Sequence, residues 1–168
     1  QVSDYTMTRS QQPYLHPGKS CDIVVNGEVI GSFGEVHPVV QENFELDQVT
    51  YVLEMAVEPL VASATAVPQY KHLPKFPSMS RDIAVVVPAE VTNAELEQVI
   101  RAHAGELLQG VRVFDIYTGK QVAAGCKSMA FNLTYQAADR TLTDAEVDAS
   151  MKKVIAEVAE VYKAKLRD

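Results

Sequence analysis

Residues 127–148, KSMAFNLTYQAADRTLTDAEVD, hold a strand, a turn and a helix start in one uninterrupted run. Met129, Phe131, Leu133 and Tyr135 are apolar, and they alternate with the small or polar Ser128, Ala130, Asn132, Thr134 and Gln136. Successive strand side chains point to opposite faces, so one face of this strand meets a core and the other meets water. Downstream, Thr143-x-x-Glu146 is a capping box. The Thr hydroxyl accepts from the amide three residues on, and the Glu carboxylate accepts from the Thr amide, which fixes a helix start.

The same device occurs earlier as Thr92-x-x-Glu95, so the last ninety or so residues repeat themselves. After Thr92, the residues Leu96, Val99, Ile100 and His103 follow helical spacing, and Gly105 stands where a helix C-cap needs positive φ. After Thr143, Val147, Met151, Val154, Ile155, Val158 and Tyr162 form one stripe, with Lys152, Lys153, Glu157 and Glu160 opposite. Residues 82–87 are rich in β-branched side chains and stop at Pro88; residues 111–117 form a second such run and stop at Thr118-Gly119. Residues 164–167 make a short fourth strand. The order β-α-β-β-α-β predicts an α+β, ferredoxin-like domain: a four-stranded antiparallel sheet with two helices on one face.

The first half reads differently. His16-Pro17-Gly18 is a turn, residues 21–25 a strand, Asn26-Gly27 a two-residue hairpin turn, and residues 28–33 the returning strand. Residues 51–57 make a third strand, with Leu53, Met55 and Val57 on a half-buried face and Glu54 opposite. Three strands without a long helix do not enclose a core, so either this unit packs on the second domain or, the favoured expectation, most of its domain lies upstream of Gln1. Residues 1–10, QVSDYTMTRS, are polar and uncapped, which fits a piece of a longer protein. Between the halves, residues 68–80 contain three prolines and read as an extended connector, with Tyr70, Leu73 and Phe76 spaced to lie along a neighbour. The expected organisation is therefore 1–67, 68–80 and 81–168.

Composition sets mild bounds: 168 residues, 47% hydrophobic and 22% charged, with no apolar run long enough for a membrane-spanning helix. Residues 1–72 hold three Lys+Arg against nine Asp+Glu, net −6; residues 73–168 hold twelve against thirteen, net −1. Neither half is basic enough to hold nucleic acid by phosphate neutralisation alone. Cys21 and Cys126 lie in neither metal-ligand nor CxxC spacing and read as inert reduced thiols of a cytoplasmic protein. His16, His37, Asp22 and Glu35 invite a metal reading, but no HxH or HExxH spacing supports it, and no metal site is expected. There is no GxSxG and no P-loop. An acylphosphatase-like activity would need an Arg after the first ferredoxin strand, where residues 88–91 are PAEV.

Several ungapped stretches carry a family resemblance: FPSMSRDIAVVVP from Phe76, FDIYTG from Phe114, and the quoted run from Lys127. They resemble, in order and spacing, the ferredoxin-fold anticodon-binding domain of bacterial-type phenylalanyl-tRNA synthetase β subunits. HPGKSCDIVVNGEVIGSFGEVHP from His16 is similar to the end of that subunit's class II synthetase-like core, so the first domain would be a β-rich remnant of an inactive catalytic-like module. The resemblance implies that this chain holds the anticodon stem-loop of tRNA(Phe) and contains no catalytic residue. It also implies a partner α subunit in an α2β2 assembly, which uses ATP and magnesium to make phenylalanyl-tRNA in the cytoplasm, while this chain itself needs no cofactor.

Helices occupy one face of the ferredoxin sheet, so RNA is expected on the other, where unpaired bases meet exposed hydrogen-bonding and flat groups. With Phe114 and Ile116 inward, Asp115 and Tyr117 point outward; with Phe131 and Leu133 inward, Ser128, Ala130, Asn132 and Thr134 point outward. Asp115 and Ser128 are the first choices, since a carboxylate accepts from base donors and a hydroxyl both donates and accepts. Tyr117 offers a stacking surface, and Arg81, Lys127, Lys120 and Arg140 offer phosphate contacts. Structural roles stand beside each of these. Asp115 can cap the Thr118-Gly119 turn or pair with Arg112, Ser128 can be a small residue on a wet face, and Tyr117 can pack at the edge. Arg81 and Lys127 can form salt bridges with Asp82 or Asp115, and the loop cations can be solvated surface. A regulatory or assembly domain that binds a small molecule or a partner protein is the alternative function, because the fold alone does not decide.

Overall fold

The computed structural model describes residues 5–64, 67, 70 and 73–167 and separates into two compact units, Gln1–Lys71 and His72–Asp168. In the first, the strands β1 (Tyr5–Arg9), β2 (Leu15–Val25), β3 (Glu28–Val36) and β4 (Tyr51–Met55) form one antiparallel sheet in sequence order. Two six-residue helices, α1 (Pro38–Asn43) and α2 (Val57–Ala62), complete it. The Asn26-Gly27 hairpin forms as expected, with φ of 51° and 82° at the two turn residues and Val25 paired to Glu28.

Three expectations for this unit are corrected. The polar stretch at the start contains β1, where Tyr5 and Met7 alternate with Thr6 and Thr8 over too short a run to announce itself. His16-Pro17-Gly18 does not reverse the chain but lies inside β2, as an irregularity between the pairs Leu15–Val36 and Ser20–Gly34. There the His16 ring accepts from the Gly18 amide, and Ser20 donates to the His16 carbonyl at 2.8 Å. The third strand stops at Met55, so Val57 starts a helix instead, and Leu53 is exposed rather than half-buried.

The second unit runs β5 (Met79–Pro88), α3 (Asn93–Ala104), β6 (Leu108–Tyr117), β7 (Cys126–Tyr135), α4 (Asp144–Tyr162) and β8 (Lys165–Leu166). Its antiparallel sheet has the order β6-β7-β5-β8, the arrangement a ferredoxin-like chain requires. Both capping boxes are complete. Thr92 accepts from the Glu95 amide at 3.3 Å and its own amide donates to Glu95 at 2.7 Å; the Thr143 and Glu146 distances are 3.4 and 2.9 Å. Gly105 closes α3 with φ of 79°, a conformation that side chains with a Cβ disfavour.

The core lies between the helices and one face of the sheet, built from Ile83, Val85, Val87, Met129, Phe131, Leu133 and Tyr135 against Leu96, Ile100, Val147, Val154 and Val158. One polar tie crosses it: Ser150 donates to the Ala104 carbonyl at 2.7 Å and lies 3.1 Å from the Tyr135 hydroxyl, which joins α4, α3 and β7. His103 leaves the apolar stripe, with Nδ1 2.9 Å from the Val99 carbonyl and Nε2 3.6 Å from Glu157 on α4. Of the expected connector, residues 68, 69, 71 and 72 lie outside the described ones, and Met79 and Ser80 already belong to β5. Leu73 is exposed, whereas Phe76 is half-buried and its carbonyl accepts from Gln136 at 2.6 Å.

Candidate nucleic-acid interface

Strand parity assigns the faces. The odd positions of β5 and β7 enter the core, so Ser80, Asp82, Ala84 and Val86 of β5 share the other face with Ser128, Ala130, Asn132 and Thr134 of β7. Their register makes rows across the sheet: Arg112–Asn132–Asp82, then Asp115–Ala130–Ala84, then Tyr117–Ser128–Val86. Asp115, Tyr117, Ala130 and Asn132 therefore stand on the helix-free face, in agreement with the sequence pattern.

Register slips between Val113, paired with Phe131, and Asp115, paired with Ala130, so Phe114 is the extra residue of a β-bulge. Phe114 does not point inward; it is 52% exposed and lines a shallow hollow with Asp82, Arg112 and Asn132, all of the helix-free face. Ile116 pairs with Met129 on the core side but stays exposed near the end of its edge strand. Asp115 takes neither structural alternative, since among the described residues it has no ion pair with Arg112 and no hydrogen bond to the 118–119 turn. Its carboxylate is exposed and open to a base donor.

At the other end the face is closed over. The Arg167 guanidinium lies 4.6 Å above the centre of the Tyr117 ring and donates to Gln121 at 3.1 Å. Tyr117 is on edge strand β6 and Arg167 follows β8 at the opposite edge, its amide bonded to the Ala84 carbonyl, so this contact spans β7 and β5. Ala84 and Ala130 leave room for an arginine to cross. Tyr117 also leans on Gly119, where an added Cβ would come within 2.2 Å of the phenol oxygen. Ser128, between Tyr117 and Val86, is only 3% exposed. It is a buried small residue in this state, not the open reader the alternation suggested.

The cations also redistribute. Arg81 has the parity of Ile83, so it sits on the helix face, where it pairs with Asp144 and, at 3.5 Å, with Asp148 at the start of α4. Those acids, not Asp82 or Asp115, raise its pKa; the Asp144 hydrogen bond is the largest cause. Lys127 pairs with Val87 and shares that parity; its charge is felt by Glu95 in the first capping box. Arg140 is held by Asp139 at 3.0 Å and by Glu146 at 2.6 Å, so it buttresses the second box. Lys120 is exposed, with no ion pair among the described residues. Arg112, Arg167 and, through its pairing with Val86, Lys165 are cations that this face presents. Parity counted back from Ile83 and Met129 would have placed Arg81 and Lys127 correctly, while Arg167 gave no local signal.

Chemistry elsewhere is sparse. Among the described residues no three His, Cys, Asp or Glu side chains gather as a metal would require, and no helix is long and apolar enough to cross a membrane. His16 and His37 accept from the backbone amides of Gly18 and Val39, and Glu35 pairs with Lys19 at 2.6 Å. The hydrogen bond from Lys19, first, and from Tyr51 holds the Glu35 carboxyl below its ordinary pKa. Both cysteines are free, and burial pushes the Cys21 thiol up, away from reactivity.

A polar, helix-free face on a four-stranded ferredoxin sheet defines a binding module, and residues 74–167 match the family of the ferredoxin-fold anticodon binding domain. The chain belongs to that family. Residues 1–57 match a second, the phenylalanyl tRNA synthetase beta chain CLM domain. Three similar proteins carry one name, phenylalanine–tRNA ligase beta subunit. That of Symbiobacterium thermophilum is 45% identical over 153 residues, 91% of this chain and 17% of the relative. The Halalkalibacterium halodurans protein is 44% identical over 162 residues, 96% of this chain and 20% of the relative. For Bacillus subtilis the figures are 41% over 159 residues, 95% and 20%. The chain thus spans about a fifth of the length of these curated relatives.

Proposed function

We propose that the second unit holds the anticodon stem-loop of tRNA(Phe) on its helix-free sheet face, within the β subunit of a phenylalanine–tRNA ligase. One observation carries this: Asp115, exposed and unpaired, stands on a polar sheet surface beside Ala130 and Asn132 in a domain of the anticodon-binding family. A carboxylate there accepts from base N–H groups without adding the positive charge this unit lacks. The Tyr117 ring at one end is covered by Arg167, so that end offers the Arg167 cation, and Lys120 stands in the loop beyond. Arg81, Lys127 and Arg140 serve the fold instead, and Ser128 is buried. In this reading the aminoacylation chemistry, with its ATP and magnesium, belongs to the α subunit of an α2β2 cytoplasmic assembly. This chain supplies a grip on the RNA.

The test is a titration of the chain with labelled tRNA(Phe) anticodon stem-loop and with an unrelated stem-loop, at low and near-physiological salt. Preference for the first that survives salt, weakened by Asp115→Ala, is the expected result. Equal binding of both loops would remove recognition from this face.

A further inference from the structure

The bulge at Phe114 gives the face something that its rows do not. An unpaired strand residue breaks alternation, and here it turns a large apolar ring onto the part of the surface shared by Asp82, Arg112 and Asn132. The ring borders a hollow whose other walls are Asp82, Arg112 and Asn132, one side chain from each of three adjacent strands. Asn132 is already oriented, since its amide donates to the Asp82 carboxylate at 2.7 Å and its carbonyl accepts from Thr134 at 3.4 Å. The floor therefore offers a fixed carboxylate and amide, and the wall a guanidinium with no ion pair among the described residues.

We infer that this hollow is a second base subsite, which takes one unstacked nucleobase of a single-stranded loop with the Phe114 ring against its face and Asp82, Arg112 and Asn132 at its edges. The inference rests on the anticodon-binding reading and adds to it residues distinct from Asp115 and from the Tyr117–Arg167 end. A nucleobase fits because it is flat and apolar on its faces and carries donors and acceptors on its rim, the same division the hollow shows. An apolar protein segment fits worse, since covering Asp82 and Arg112 would strip both charges of water without replacing it. The charge balance agrees: a unit with twelve basic and thirteen acidic residues draws affinity from stacking and edge contacts more than from phosphates.

The chain contains no tryptophan, so Phe114→Trp installs a single fluorescent reporter in the hollow. Stem-loop titrations with the whole chain then use the tRNA(Phe) anticodon stem-loop and variants of it, each abasic at one unpaired position. The expected result is that one abasic position weakens binding on the order of tenfold, that Phe114→Ala weakens the intact loop by a similar factor, and that the two losses do not add. Phe114→Tyr should bind as the parent does, and the emission of the introduced tryptophan should be quenched by every loop except that abasic one. If Phe114→Ala binds every loop as the parent chain does while Asp115→Ala does not, the subsite is overturned and the anticodon reading stands. If the parent chain binds no stem-loop, both fall. Exposed as it is, Phe114 can be shortened without loss of fold, and an unchanged unfolding transition verifies that.

Discussion

The chain contains two four-stranded antiparallel sheets, and they are finished in opposite ways. The sheet of the second unit has two helices over one face, of 12 and 19 residues, so the side chains between are sealed and Phe131 has no exposed surface. The sheet of the first unit has two six-residue helices, and Tyr5, Tyr51 and Leu53 remain exposed. A sheet sealed on one side is free to make its other face polar, since that face does not have to bury anything. The second sheet devotes its outer face to Asp82, Arg112, Asp115 and Asn132. The first leaves Tyr51 and Leu53 exposed on one face, while Ser32 and Glu54 stand on the other with the Tyr14 hydroxyl against them.

The strongest way to break this comparison is to hollow out the sealed core. Phe131→Ala should cost the second unit about 3–5 kcal/mol, because a buried ring is lost and a cavity remains. Leu53→Ala, at a position 63% exposed, should stay within about 0.5 kcal/mol. Denaturant unfolding, with amide exchange in α3 and α4 to assign the second unit's transition, measures both. Equal losses would mean that the first sheet is covered in solution.

A smaller effect tests whether the first sheet, though open on its face, is tight in its plane. A Cβ at Gly34 would sit 2.5 Å from Ser20 Cβ and 2.6 Å from the Lys19 carbonyl, where β2 carries its irregularity. Backbone has to move to admit it, so Gly34→Ala should destabilise the first unit by about 1–3 kcal/mol, read from the first unit's own unfolding transition. Indifference to this methyl would show that the β2–β3 register there is loose.

What the sequence showed and what it hid follow one physical division. The capping boxes at Thr92 and Thr143 are interactions three residues long, and both formed with the partners read from spacing. Strand parity is nearly as local, and it put Asp115 and Asn132 on the right face. Parity extended two residues further would also have set Arg81 and Lys127 on the helix side. Phe114 was misdirected because a bulge belongs to two strands at once; the extra residue exists only when β6 is counted against β7. The Tyr117–Arg167 contact was invisible for a stronger reason, since Arg167 comes from beyond the opposite edge of the sheet.

The smallest expected effect separates the two helix starts of the sealed unit, which are twins in sequence and unequal in charge. Glu95 is held below its ordinary pKa by Thr92 alone in the main, through side-chain and then backbone hydrogen bonds, with a weaker pull from Lys127. Glu146 has the same two bonds from Thr143, but its largest influence is the hydrogen bond from Arg140, and its carboxyl is brought down to about 2 from an ordinary 4.5. Both groups bind a proton less readily folded than unfolded, so each supports the fold fully above pH 4.5 or so and loses that support as pH falls. For Glu146 the loss extends down to pH 2; for Glu95 it should be complete sooner. Titration of the two carboxyl groups by NMR, with exchange rates of the first amides of α3 and α4, should show the α3 cap opening first on acidification. Arg140→Gln should move the Glu146 midpoint up toward that of Glu95 and leave Glu95 where it is. A Glu146 midpoint indifferent to Arg140 would mean that the capping bonds alone set it, and that the twin helix starts are equal after all.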